Sequence, residues 1–150
     1  MKQKSHLLDR FDYVFWSGDF NYRVNQTREN TIKFLKEKKF EALLKEDQMT
    51  MERERKAVFE GFKEGEIKFA PTYKYANNSH FFDNKKNRTP SWTDRILYAC
   101  KKEPLNIIQM NYQSHQGMLI SDHRPVFSQF TVHVETPDEN VNLLLILDKN

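Results

Sequence analysis

The sequence predicts an α/β fold, and three observations carry that reading. The stretch Phe11 to Trp16 is apolar on both faces, with Phe11, Tyr13 and Phe15 on one side and Val14 and Trp16 on the other. That pattern belongs to a central strand covered above and below. Between Thr27 and Phe59 apolar residues recur at helical spacing, and from Trp92 onward the pattern returns to strands.

The elements follow in order. The first strand stops at Ser17-Gly18, and Asp19, Asn21 and Arg23 come directly after it. A carboxylate, an amide and a guanidinium just past a buried strand end stand where ligands bind in open α/β sheets. On spacing alone an ordinary polar turn explains them equally well. Thr27 is a suitable N-cap for a helix whose Ile32 and Leu35 share a face, and Phe40, Leu43 and Leu44 repeat that spacing in a short second helix. Thr50 is read as the cap of a third helix from Met51 to about Phe59, with a solvated charged face from Glu52 to Lys56. Gly61 and Gly65 are expected to end the helical region. Phe62 to Tyr75 reads as extended or irregular, because Pro71 argues against helix. Asn77 to Pro90 reads as a polar surface loop with Lys85, Lys86 and Arg88. Ile96 to Cys100 is a short strand. Ile108, Met110 and Tyr112 alternate with Gln109, Asn111 and Gln113 as in a half-buried strand, and Val126 to Val134 is another. Residues 1–136 form the expected domain, and 137–150 are a tail without assigned role.

Composition narrows the classes. A chain of 150 residues suffices for one domain with a core. The 24 basic and 21 acidic residues leave a net charge of +3, well short of a surface that coats nucleic acid, and no nucleic-acid partner is expected. Cys100 is the only cysteine, so no internal disulfide forms and a reducing compartment is the simpler reading. Met1 to Asp9 is polar and too short for a signal peptide. Leu143 to Leu147 falls far below the ~20 residues a membrane span needs, so no transmembrane segment and a cytoplasmic location are expected.

Several chemistries are excluded. Cys100 lacks an Arg at the spacing of a cysteine-phosphatase loop, where Asn106 stands, and it reads as a small core residue. Gly61 and Gly65 lack the Gly-Lys-Ser/Thr of a nucleotide-binding loop. No His/Cys cluster has zinc spacing. Two carboxylate clusters remain, Gly18-Asp19-Phe20-Asn21 and Ser121-Asp122-His123, with a third polar loop at Arg88 to Arg95. Oxygen donors without thiolates favour a hard cation such as Mg2+. Tyr73, Lys74 and Lys86 carry groups suited to phosphate oxygens. Read without wider context, the lysines are solvated surface, and Asp94 and Arg95 are an ion pair within their loop.

Taken together, the clusters resemble a known family. Trp-Ser-Gly-Asp-Phe-Asn-Tyr-Arg (Trp16 to Arg23) resembles the first signature of the inositol polyphosphate 5-phosphatases, and Pro-Ser-Trp-Thr-Asp-Arg-Ile-Leu (Pro90 to Leu97) resembles the second. Asp47-Gln48, the Phe59 to Phe62 region, Phe69 to Tyr75 and Ser121 to Val126 are similar to further family segments in the family's order. The resemblance covers about Phe11 to Val134. It implies part of a two-sheet α/β sandwich of the DNase-I-like phosphoesterase type. It also implies Mg2+-dependent hydrolysis of the 5-phosphate of phosphoinositides or inositol polyphosphates, with transient contact at a membrane surface.

Residue by residue, the resemblance implies that Asp19 orients and deprotonates the attacking water and that Asn21 hydrogen-bonds the scissile phosphate. His123 contacts a non-bridging oxygen, and Asp122 supports it or the metal. Tyr73, Lys74 and Lys86 grip the neighbouring 4-phosphate, and Arg95, counted with them as a substrate contact, braces the site together with Asp94. The family domain is about twice this length, and its N-terminal half carries the Asn and Glu that hold Mg2+ and a further His. The chain is therefore expected to be a C-terminal part of such a domain, with an incomplete metal site, exposed apolar surface and little or no activity alone. The readings set against it are a DNase-like or abasic-site nuclease and a phosphoinositide-binding module without turnover.

Overall fold

The computed structural model describes residues 8, 10–101 and 107–134. The expected tail, 137–150, lies outside them. In chain order the elements are β1 (Tyr13–Asp19), α1 (Arg28–Lys36), α2 (Phe40–Leu44), α3 (Gln48–Glu54), β2 (Lys63–Glu64), β3 (Asp94–Cys100), β4 (Ile107–Ser114) and β5 (Val126–Val132). They form two antiparallel sheets, ordered β1-β3-β2 and β4-β5. This is the mixed α/β architecture with two sheets that the sequence predicts.

The first strand differs from expectation in its place. Among the described residues β1 is an edge of its sheet, paired with β3 from Tyr13↔Cys100 to Asp19↔Asp94. Its apolar residues are not covered on both sides, and Phe15 and Trp16 are about half exposed. Trp16 meets Phe20, Phe59 and Phe62 on one face, while Phe15 meets Phe130 of β5 on the other. Phe130 also packs on Tyr98 of β3, which joins the two sheets. The core lies where Val24, Leu43, Ile67, Phe69, Trp92, Ile96 and Tyr112 meet. Trp92 is fully buried and donates its indole N–H to the Phe69 carbonyl at 2.9 Å, which satisfies its one polar atom.

Local signals explain α1, whose N-cap Thr27 accepts from the Asn30 amide. α3 starts earlier than expected. Its cap is Asp47, not Thr50: the Asp47 carboxylate accepts from both the amide and the hydroxyl of Thr50. The helix ends at Glu54, so Gly61 does not terminate it; Gly61 instead takes a left-handed turn at φ +83° before β2. In β4 the simple alternation fails. The pairing slips between Gln109 and Asn111, leaving Met110 as an inserted residue. Ile107 and Tyr112 therefore point inward, while Ile108 and Met110, expected inside with Tyr112, are exposed. Residues 72–75 lie between 91 and 121–124, bridged at Tyr73↔Ser91 and Tyr73↔His123. That arrangement brings distant segments to one end of β1 and β3.

Candidate active site

Asp19 ends β1 and is exposed. Its Oδ1 accepts from the Asn21 amide at 2.8 Å, and Asn21 adopts a left-handed φ of 58°, which asparagine tolerates better than most residues. The turn is pinned on both sides. Phe20 donates its amide to the Thr93 carbonyl at 2.8 Å. Arg23 donates its amide to Gln48 Oε1 at 3.0 Å and accepts from the Gln48 amide at 2.8 Å. The Arg23 guanidinium bonds Asn21 Oδ1 and lies 4.4 Å from the Tyr73 ring centre. Its Nη1 is buried without a hydrogen-bond partner.

Asp94 begins β3 directly opposite Asp19 in the β1–β3 register, so the two side chains share a face. Asp94 Oδ2 accepts from the hydroxyls of Thr72 (2.6 Å) and Thr93 (2.9 Å) and lies 2.9 Å from His123 Nδ1. The carboxylate that orients the imidazole is therefore Asp94, from another strand. Asp122, adjacent in sequence and expected to support the ring or a metal, instead forms an ion pair with Lys74. That hydrogen bond raises the Lys74 ammonium above its ordinary value and lowers the Asp122 carboxyl below its own.

Tyr73 stacks on His123, with ring centres 4.6 Å apart. Tyr73 and Lys74 thus stand beside His123 and Asp94, and Asp19 with Asn21 stands across the strand pair. Lys86 is exposed in the neighbouring loop. That loop is held to the site by the Asp83 amide, which donates to the Lys74 carbonyl at 2.9 Å. The Asp83 carboxylate accepts from the amides of Lys85 and Lys86, and these bonds keep it below its ordinary value.

Arg95 is a correction. As a substrate contact it would need to reach the site, but it is 1% exposed and points to the other face of β3. Its Nε and Nη2 grip Glu64 at 2.6 and 2.8 Å, and Nη1 holds Asp47 at 2.8 Å. Burial works against its charge, and the two carboxylates more than offset that, so it stays firmly protonated. Neither is it paired with Asp94, which faces the opposite way. Sequence reasoning gave little weight to Arg23, Gln48 and Thr72. Arg23 stood inside the first signature, whereas the contacts of Thr72 and Gln48 are long-range and leave no local signal.

A cleft of about 360 Å³ opens at this end of the sheet, lined by Ser17, Gly18, Asp94, Ile96, His123 and Val126 among others. Among the described residues no group of three metal-binding side chains gathers. Asp94 and Asp122 are taken up by His123 and Lys74, which leaves Asp19 as the exposed carboxylate. The residues present do not by themselves make a cation cage.

A two-sheet α/β fold with acidic, imidazole and cationic groups at one end of its strands defines the DNase-I-like phosphoesterase class. The chain belongs to the endonuclease/exonuclease/phosphatase family 2, whose model matches residues 1–129. It is 44% identical over 141 residues to the mouse (Mus musculus) phosphatidylinositol polyphosphate 5-phosphatase type IV, covering 91% of this chain and 22% of that protein. It also matches the solved inositol polyphosphate 5-phosphatase domain of a synaptojanin, in complex with inositol (1,4)-bisphosphate and calcium ion. There the TM-score is 0.76 at 36% identity, covering 82% of this chain and 35% of the other. A third likeness is to Cimex nitrophorin, solved as a ferrous NO complex, with a TM-score of 0.77 at 33% identity over 84% of this chain and 44% of the other. The chain thus spans about a fifth of the mouse relative and a third of the synaptojanin domain. The kinship with inositol polyphosphate 5-phosphatases read from the two signatures holds.

Proposed function

We propose that the chain carries the phosphate-facing part of a phosphoinositide or inositol polyphosphate 5-phosphatase. The observation that carries this is the meeting of Asp19, the Asp94–His123 pair and the Tyr73-Lys74 pair at one end of β1 and β3. In this reading Asp19 takes the proton of the attacking water, and the Asn21 side chain donates to the scissile phosphate. Asp94 accepts from His123 Nδ1–H, and the ring contacts a non-bridging oxygen in its imidazolium form, with Nε2–H donating. Tyr73, Lys74 and Lys86 receive the neighbouring 4-phosphate. Phosphoester hydrolysis asks for alignment and charge stabilisation rather than covalent chemistry, and these groups supply both.

The 5-phosphatase relatives and the calcium ion of the synaptojanin complex support a divalent cation, which we take to be Mg2+. It would polarise the phosphoryl oxygens. Its ligands come from beyond the described residues, and no step above passes through it. The modest charge and the Tyr73-Lys74 pair weigh against a nuclease. The likeness to a nitrophorin keeps a binding role without turnover in view. Exposed Phe81, Met118 and Ile120, with exposed Lys85, Lys86 and Arg88 in the loop that carries Phe81, support transient contact with an anionic membrane surface, and we take the location to be cytoplasmic and peripheral.

The test is Mg2+-dependent phosphate release from a 4,5-bisphosphorylated inositol lipid, run beside nicking of duplex DNA. Asp19→Asn should lower the lipid turnover about a hundredfold or more, as loss of a general base does. Unchanged turnover in that variant would sink the assignment. Nicking without phosphate release would select the nuclease, and lipid binding that survives Asp19→Asn without any turnover would select the binding module.

A further inference from the structure

We propose that Asp122 is a latch on Lys74: it occupies the ammonium group that would otherwise receive a substrate phosphate, and so sets how strong an incoming anion must be to enter. The inference rests on the reading above that Lys74 takes a phosphate, and it goes further in giving Asp122 a selective role.

The pairing is fixed by backbone, not by a chance meeting of long side chains. Residues 72–75 run beside 121–124 with Tyr73 bridged to His123. The Tyr75 amide donates to the Asp122 carbonyl at 2.9 Å, and the Arg124 amide donates to the Thr72 carbonyl at 2.8 Å. Lys74 and Asp122 therefore hold adjacent stations. Their side chains are 15% and 33% exposed, so the ion pair is screened less than a surface pair and each partner stays charged. Asp122 Oδ2 is the carboxylate oxygen to which Lys74 is hydrogen-bonded.

The other nearby carboxylates are engaged elsewhere: Asp94 holds His123, and Asp83, which also acts on the Lys74 charge, accepts from the Lys85 and Lys86 amides. The Arg23 guanidinium sits 4.4 Å from the Tyr73 ring centre and Lys74 Nζ sits 5.6 Å from it. Arg23 Nη1 is buried without a partner, and its other terminal nitrogen reaches only a neutral amide oxygen. A Lys74 freed from Asp122 would have no carboxylate bonded to it among the described residues, and any small anion could take its place. With Asp122 in place, a singly charged carboxylate or chloride gains nothing over the resident carboxylate. A phosphate near neutral pH carries more charge and three acceptor oxygens, so it alone outcompetes the latch at Lys74. Discrimination then comes from a built-in competitor, a repulsive element rather than an extra contact.

The experiment is calorimetric titration of inositol 1,4-bisphosphate, without divalent cation, into the chain and its Asp122→Asn, Lys74→Met and doubly substituted variants. Asp122→Asn should bind about tenfold tighter, the scale of one charge-assisted hydrogen bond released. That gain should vanish in the Lys74→Met background. Glu29→Gln removes an equal charge from the exposed face of α1, outside the site, and its gain should stay under about threefold, as expected of a screened exposed charge. The latch is overturned if Asp122→Asn binds no tighter than wild type, if its gain persists without Lys74, or if neither protein binds. Binding by Asp122→Asn but not by wild type sustains it. Wild-type binding with no coupling to Lys74 removes the latch and leaves the 5-phosphatase reading intact, which the turnover assay judges separately. A second measurement uses the unaltered chain. In an NMR titration the Lys74 ammonium and Asp122 carboxylate signals should move together with one midpoint, and movement of Lys74 alone would refute the exchange.

Discussion

Lys74 and Asp122 share one hydrogen bond, and each makes the other easier to keep charged. The consequence for stability has a definite sign. Asp122 is lowered from its ordinary 3.8, so its contribution is present above that value and is lost as pH falls through the still lower folded value. Lys74 is raised from 10.5, so its contribution is present below that value and is lost as pH rises through the folded one. The stability difference between wild type and Asp122→Asn should therefore be flat from about pH 5 to 10 and shrink beyond both ends. Urea midpoints for the two proteins across that range measure it, and a difference that changed most between pH 6 and 8 would contradict the pairing. This pair was not legible in the sequence. Asp122 stands next to His123, and adjacency suggested a partnership. Successive residues of an extended chain face opposite ways, so each found its partner elsewhere: Lys74 for one, Asp94 for the other. The same geometry separates Asp94 from Arg95.

At the scale of elements, the two helix caps make a useful contrast. Thr27 caps α1 through local contacts with the following turn, and a local signal was enough to find it. Asp47 caps α3 and also holds the buried Arg95, a contact that spans from the helix to β3. The sequence reading places this cap at Thr50, and the long-range contact of Asp47 to Arg95 leaves no local signal. Thr27→Ala should cost about 1 kcal/mol of unfolding free energy. Asp47→Ala should cost about 3 kcal/mol or more, since it also strips a buried charge of one partner. Equal losses in urea denaturation would mean that the Arg95 contact adds nothing. β4 teaches a related lesson. An inserted residue at Met110 shifts the pleat, and no alternation rule can see a bulge in advance.

For the whole molecule, the membrane contact proposed above rests on exposed apolar residues of two loops. Phe81 (79% exposed) and Ile120 (83% exposed) rise from two loops tied together by Arg124, which donates to the carbonyls of Ser79 and Ser121. The Asn78 amide also donates to the Leu119 carbonyl at 3.0 Å. Lys85 and Lys86 are exposed in the same loop as Phe81. Replacing both residues, Phe81→Ser with Ile120→Ser, should weaken binding to vesicles containing an anionic phosphoinositide about tenfold or more, given the apolar area each buries. Co-sedimentation at low and high salt checks it, and unchanged partitioning would place the contact elsewhere. At this scale the fold class and the two signature segments were readable, because apolar periodicity and motif order survive without coordinates. The edge position of β1 was not, since an apolar run on both faces gives no count of the neighbours a strand will find.

The opposition of Asp19 and Asp94 across β1 and β3 carries one more consequence. Had the two strands paired one residue out of step, every side chain of β3 would have turned to the other face. Asp94 would be driven toward Glu64 and Asp47, where an acid meets two acids, and Arg95 would be turned toward His123. A mispaired chain would thus lose its arginine clamp and its imidazole together. The same pair of adjacent residues thus ties the β1–β3 register to the placement of the imidazole.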